Sequence, residues 1–233
     1  MTVTAVIVAG GSGERFGSQG GKQLAMLAGR PVLAWSVAAF EASDLVGAIV
    51  VVAHPERVAE YGEAARSGKL SAVVGGGKTR QLSVAAGLAA ASEDSDVIAV
   101  HDGARPLVTS ATIDGAVRAL QGRPDIAGVV VGHPQFDTVK RVGDDDEVLE
   151  TVDRRDLWIA QTPQVFRASG LLDAYRRAEE EGLAGTDDAS LVERAGGKVM
   201  MLSGPRENIK VTVPEDLVVA EAVLQARMRG PAR

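Results

Sequence analysis

The chain contains no cysteine. That excludes disulfides, thiolate catalysis and zinc-thiolate sites. Histidine is scarce: His54, His101 and His133 are scattered along the sequence, which argues against a histidine-rich metal site. Basic charge is also in short supply. With 25 Lys and Arg against 31 Asp and Glu, the net charge is -6, so neither nucleic acid nor an anionic membrane is an expected partner. Any anionic ligand must instead be held by a local cluster of cations. No apolar run approaches the ~18 residues needed to span a bilayer, and the opening MTVTAVIVAGG lacks a basic n-region. A cytoplasmic location is expected.

What is present is globular. The 233 residues, 45% hydrophobic and 24% charged, suit one domain over 1–233 with enough apolar surface to offset chain entropy. Short runs rich in Val and Ile at residues 3–9, 48–53, 70–74, 97–100 and 127–131 suit strands buried on both faces. Stretches of helical period alternate with them at 31–41, 55–66, 79–91 and 110–120. The alternation predicts an α/β fold with a mostly parallel sheet. After residue 131 the rhythm changes. Two alternating segments, FDTVKRV and EVLETV, joined by GDDD, predict a β-hairpin arm over residues 134–152 that projects from the sheet. Helices are then expected at 170–181, 186–195 and 214–227, with a strand at 198–203.

Two glycine-rich turns each follow a strand and precede a helix, a geometry that presents unpaired backbone N–H groups to a phosphate. In the first, Gly10, Gly11, Gly13, Gly17, Gly20 and Gly21 surround Arg15 and lead to Lys22. It is not a dinucleotide fingerprint: GSGERFG is one residue too long, and the next strand ends at Ala53-His54 without a carboxylate. The second, VVGGGKTR, is not a P-loop, because Ala72 stands where the first glycine is needed. Two cations beside exposed backbone are favourable when an anion lies between them, although each alone reads as a solvated surface charge. On the helix after the second loop, Arg80 and Ser83 share a face near its N-terminus, where an anion is favoured.

The motifs AGGSGERFG with the following KQ, VHDGARP, DTVK, VDRRDLWIAQTPQVF, TDDASLVE and ENIKVTVPEDL run in order through nearly the whole chain. In these the sequence resembles the 2-C-methyl-D-erythritol 4-phosphate cytidylyltransferases. The resemblance implies a Rossmann-like nucleotidyltransferase fold and transfer of a cytidylyl group from CTP to a sugar-alcohol phosphate, with Mg²⁺ as cofactor. It also implies a homodimer formed through the β-arm. Ala9, Gly10, Gly11 and Gly13 would cradle the triphosphate, with Gly76, Gly77, Arg80 and Ser83 toward the base and ribose. Arg15 and Lys22 would stabilise the α-phosphate and the leaving pyrophosphate. Asp102, at the carboxyl edge of a strand where ligands of open α/β sheets bind, would hold Mg²⁺. Arg154 and Lys210 would aim the acceptor phosphate, Arg105 would help form its pocket, and Thr138 on the arm would reach it across the dimer. Lys140, Arg141 and Arg155 read as a solvated arm surface, and His101 as a packed strand-end residue. Two positions depart from the family pattern: Gly21 stands where many members have proline before the lysine, and Lys78 where an acidic residue can occur. Two other readings compete, a cytidylyltransferase acting on ribitol 5-phosphate and a non-catalytic nucleotide-binding module.

Overall fold

The structure, a computed structural model, describes residues 1–11, 16 and 21–229. The first half runs β1 (Val3–Val8), the two-residue strands β2 (Met26–Leu27) and β3 (Arg30–Pro31), α1 (Val32–Glu41), β4 (Ala48–Ala53), α2 (Val58–Ala64), β5 (Leu70–Gly75), α3 (Arg80–Ala90), β6 (Val97–Asp102) and α4 (Ser110–Gln121). The second half runs β7 (Gly128–Pro134), β8 (Val139–Val142), β9 (Val148–Val152), β10 (Trp158–Arg167), α5 (Ala168–Glu180), α6 (Asp188–Arg194), β11 (Val199–Ser203) and α7 (Glu215–Arg229).

Seven strands form one sheet in the order β11-β7-β10-β6-β1-β4-β5. Only β10 runs antiparallel to its neighbours, β6 and β7. The chain builds outward from β1 through β4 to β5, then returns to place β6 on the other side of β1. Strand order therefore reverses at β1, and in open α/β sheets the crevice outside the strand ends at such a point is where ligands bind.

The continuous Val/Ile runs are explained by helices on both faces. On one face of the sheet, Ala5 and Ile7 of β1 share a buried cluster with Leu33, Val37 and Phe40 of α1, Tyr61 of α2 and Ile113 of α4. Val6 and Val8 point the other way, toward Val84 and Leu88 of α3 and Leu171 and Ala174 of α5. Each such fully buried aliphatic side chain contributes about 1.5–3 kcal/mol of transfer free energy, and the few buried polar residues of β1 and β6, Thr4, His101 and Asp102, are hydrogen-bonded. A small third cluster docks α7 on the β2–β3 ribbon through Leu27, Val32, Leu107, Ala220 and Leu224.

Besides the short β2–β3 ribbon, which the sequence reading did not anticipate, two larger elements differ from expectation. The helix predicted over residues 55–66 is broken: Pro55–Arg57 forms a 3-10 turn capped by His54 Nδ1, which accepts from the Glu56 N–H, and the α-helix starts only at Val58. The strand β10 follows no apolar run. Its centre reads QTPQ, and the register shifts between Ala160 and Gln164, a bulge that frees Pro163 from the ladder. The β8–β9 hairpin forms its own two-stranded sheet, separate from the main one, as an arm.

Candidate active site

A cleft of about 520 Å³ opens over the carboxyl ends of β1, β4, β5 and β6, where the order reverses. Gly10 and Gly11 line it after β1, His54 and Pro55 after β4, Gly76 to Thr79 after β5, and Asp102 and Ala104 after β6, with Lys22, Arg80, Ser83 and Lys210 completing the wall. Glycine is required here by close backbone approach. A Cβ on Gly10 would lie 2.6 Å from the Ala53 carbonyl oxygen, and one on Gly77 would lie 2.4 Å from Leu82 Cβ. The second loop is tied to α3 by its own first turn. Thr79 caps the helix by accepting from the Leu82 N–H, and Ser83 Oγ donates to the Thr79 carbonyl at 2.9 Å while accepting from the Gly77 N–H at 3.2 Å.

Cations converge on Asp102 at the end of β6. Arg80 Nε donates to Oδ1 at 3.0 Å, Lys210 Nζ donates to Oδ2 at 2.7 Å, and Arg105 Nε stands 3.8 Å from Oδ2. Burial alone would raise the carboxyl, but Arg80, then Lys210 and Arg105, outweigh it and hold Asp102 well below the usual carboxylate range. Arg80 is subject to the converse balance. Burial would lower it, yet Asp188 and Asp102 together keep it firmly charged. Its Nη2 donates to Asp188 Oδ2 at 2.8 Å. The sum is a cationic wall whose charges are fixed in place by carboxylates.

A family model described as IspD, 2-C-methyl-D-erythritol 4-phosphate cytidylyltransferase, matches residues 3–226. The chain belongs to that family. A similar protein of that name from Caldanaerobacter subterraneus subsp. tengcongensis is 43% identical over 229 residues, 97% of this chain and 100% of the relative. Another from Rubrobacter xylanophilus is 44% identical over 230 residues, 98% of this chain and 97% of the relative. Among solved structures, the 2-C-methyl-D-erythritol 4-phosphate cytidylyltransferase of Thermus thermophilus superposes with a TM-score of 0.79 at 30% identity, covering 97% of this chain and 100% of that one. The 4-diphosphocytidyl-2C-methyl-D-erythritol synthase of Anaerococcus prevotii superposes with a TM-score of 0.83 at 28% identity, covering 97% of this chain and 96% of that one. This family member is therefore an enzyme, a nucleotidyltransferase.

The structure brings most of the sequence-derived residues of the cytidylyltransferase into one cleft and leaves some outside it. Gly10, Gly11, Lys22, Gly76, Gly77, Arg80, Ser83, Asp102 and Lys210 line the cavity. Gly13 and Arg15, with the rest of the first loop's centre, lie outside the described residues. Ala9 requires a correction: its N–H is donated to the Val52 carbonyl at 2.7 Å, so the backbone donors open to an anion begin at Gly10. Arg105 joins the cluster from behind. It is largely buried, and its Nη1 donates to the Asn208 carbonyl at 2.8 Å, which ties the turn after β6 to the segment carrying Lys210. Thr138 and Arg154 do not line the cleft. Both are exposed at the root of the arm, where Arg154 Nη1 donates to the Phe136 carbonyl.

A second layer of polar residues was not singled out by the sequence reading. Thr162 Oγ1 accepts from the Asp102 N–H at 3.0 Å and lies 3.0 Å from His101 Nδ1. Because the Arg105 carbonyl can only accept, His101 donates to it from Nε2 at 3.3 Å, and the neutral ring's bare Nδ1 then accepts the Thr162 hydroxyl proton. His101 is thus a neutral strut, as its buried strand-end position implied. Asn208 Nδ2 donates to the Thr162 carbonyl at 2.8 Å and to Gln161 Oε1 at 3.2 Å. Gln164 bridges β10 to the start of α6 through Asp187 Oδ2 and the Ala189 N–H. The available signal was polarity itself: Gln161, Thr162 and Gln164 sit at the centre of a sheet, where buried polar groups must find partners.

Proposed function

We propose that this chain transfers the cytidylyl group of CTP to 2-C-methyl-D-erythritol 4-phosphate, giving 4-diphosphocytidyl-2-C-methyl-D-erythritol and pyrophosphate in isoprenoid biosynthesis. The observation that carries the proposal is the cationic wall around Asp102, facing a glycine-lined cleft in a member of this family. Both substrates are anions, so the barrier is dominated by charge repulsion and alignment, which preorganised cations relieve.

An acceptor phosphate oxygen attacks the α-phosphorus. The new O–P bond forms as the bond from that phosphorus to the β-bridging oxygen breaks, and pyrophosphate departs with the electron pair. The nucleophile is already ionised and needs no general base. The neutral His101, locked between Thr162 and Arg105, is consistent with that. Gly10 and Gly11 offer backbone to the phosphates, Lys22 and Lys210 neutralise charge, and Arg80 holds the wall of the second loop. Arg15 is assigned by resemblance to the same task as Lys22.

Mg²⁺ belongs to the proposal. Asp102 is the carboxylate among the described cleft-lining residues, and no cluster of three potential metal ligands occurs among the described residues. Each Asp102 oxygen has one lone-pair direction used, by Arg80 or Lys210, and one left. A hard cation held by one carboxylate, waters and substrate phosphates fits that donor set. When bound, Mg²⁺ would neutralise phosphate charge.

We further propose a homodimer built on the arm, in which Thr138 and Arg154 reach the acceptor bound by the partner. The arm supports this with exposed apolar side chains, including Leu149 at 59% and Val148 at 58% exposure. The same reading places the reaction in the cytoplasm without nucleic acid or membrane. No described helix is long and apolar enough to cross a bilayer.

Pyrophosphate release with Mg²⁺ and CTP, comparing 2-C-methyl-D-erythritol 4-phosphate with ribitol 5-phosphate, tests the reading. Preference for the first is expected. Preference for ribitol 5-phosphate would overturn the acceptor, and no release with either would overturn the chemistry.

A further inference from the structure

Behind the cleft, at the start of α6, Asp188 is fully buried and carries two strong bonds. Its Oδ2 accepts from Arg80 Nη2 at 2.8 Å, and its Oδ1 accepts the Tyr175 hydroxyl at 2.6 Å. Burial, reinforced by Asp188, raises the Tyr175 phenol above its ordinary value, so it stays a proton donor at any working pH. Neither Asp188 nor Tyr175 lines the cavity. Among the described residues Arg80 connects them to it, because its Nε simultaneously donates to Asp102 Oδ1 at 3.0 Å.

The guanidinium is thus held between two carboxylates of different standing. Asp102 lines the cleft, so the Arg80 and Lys210 donors it accepts from are open to competition from an incoming anionic nucleotide. Asp188 is enclosed: α6 and α5 pack around it through Leu171, Ala174, Leu191 and Val192. With Asp102 as its only partner, Arg80 would lose its orientation whenever Asp102 changed partners. A fork of N–H donors can keep one carboxylate while exchanging the other, which a lysine could not do with the same geometry.

We propose that Asp188, oriented by the Tyr175 hydroxyl, is a positioning residue for nucleotide binding that keeps the Arg80 guanidinium at the cleft wall while Asp102 exchanges partners. The inference rests on the CTP reading above. It makes Tyr175 and Asp188 matter to CTP through Arg80 and not through the acceptor side.

The test is a double-mutant cycle on the full chain. CTP affinity is measured by isothermal titration calorimetry with Mg²⁺, and CTP and acceptor KM by pyrophosphate release. The set comprises the unchanged chain, Tyr175→Phe, Asp188→Asn, Arg80→Ala, and Tyr175→Phe combined with Arg80→Ala. Tyr175→Phe keeps the ring and removes one hydrogen bond, and should weaken CTP by roughly three- to tenfold. Asp188→Asn removes a charged acceptor and should cost roughly tenfold or more. Acceptor KM should stay within about twofold in both. With Arg80 already replaced, Tyr175→Phe should weaken CTP no further, because its route to the cleft is gone. An equal loss with and without Arg80, or unchanged CTP affinity in Tyr175→Phe, would overturn the inference alone. Absence of CTP binding by the unchanged chain would overturn the CTP reading together with it. Should Asp188→Asn not fold, Tyr175→Phe and the pair still decide.

Discussion

Acidification should destabilise this fold through His101, and the structure fixes the sign and size of the effect. The imidazole is fully buried, with Nδ1 committed to Thr162 and Nε2 to the Arg105 carbonyl. Burial pushes its pKa down from 6.5 to about 3, with Arg105 and Lys210 adding repulsion and Asp102 partly opposing it. The folded value lies below the unfolded one, so between them the unfolded chain binds the extra proton. Stability is fully present above about pH 6.5 and is lost as pH falls toward about 3, at about 1.4 kcal/mol per pH unit. Near pH 5, roughly 1.5 units into that window, the loss is about 2 kcal/mol, a large part of a typical net stability. Asp102 does not mask this, because its neighbouring cations keep it ionised throughout the window. Urea unfolding at about pH 7.5 and about pH 5 measures the loss, and the imidazole proton resonances titrated by NMR identify its source. A His101 resonance that titrates in the folded protein above about pH 5, or equal stabilities at the two pH values, would refute the reasoning.

Three further outcomes separate the roles of the remaining groups. Lys210→Met removes a partly exposed partner of Asp102, so stability should fall by only about 1 kcal/mol, whereas kcat/KM should fall by about 10²-fold or more because the lost charge faces the reacting phosphates. A loss below about tenfold in pyrophosphate release would remove Lys210 from the chemistry. Gly10→Ala places a Cβ 2.6 Å from the Ala53 carbonyl oxygen, so thermal unfolding should show a loss of about 1–3 kcal/mol together with weaker CTP binding. Arg154→Ala, at an exposed position, should leave urea stability within about 0.5 kcal/mol and raise acceptor KM while CTP KM holds; an unchanged acceptor KM would refute its assignment.

The parallel part of the sheet was legible because the local pattern and the tertiary demand agree. The runs at 3–9 and 97–100 are apolar on both faces, since helices cover both faces of β1 and β6. The hairpin was legible because its period changes from continuous to alternating. The strand β10 was not, since the features that hide it are those the site needs. Gln161, Thr162 and Gln164 break the apolar run so that they can reach the Pro205 carbonyl, the Asp102 N–H and Asp187. Among site residues, Lys22 in its glycine-rich loop and Asp102 at the end of β6 stood out in the local sequence, whereas Lys210 was named by the family resemblance. Those acting through another residue, such as Asp188 and Asn208, have ordinary local sequence, and only the fold reveals their partners.

The arrangement of charge follows from the chain's overall anionic character. Assembling Arg80, Arg105 and Lys210 at a partly buried strand end would be strongly unfavourable through desolvation and mutual repulsion if no anion were present until CTP arrived. Asp102 and Asp188 remove that penalty in advance. They are placed among the cations, within 2.7 to 3.8 Å, so the cations need no counter-ion from solvent and have little freedom to reorganise. A carboxylate in a triphosphate site thus has a purpose independent of any metal. It holds the cations in the geometry the transition state needs, and the orientation costs nothing further when charge develops on the phosphorus. The polar residues of β10 complete this by fixing the Asp102 backbone N–H through Thr162 and the Lys210 segment through Asn208. The antiparallel, bulged strand at the middle of the sheet consequently supports the candidate site from behind, and its polar side chains are taken up by those contacts.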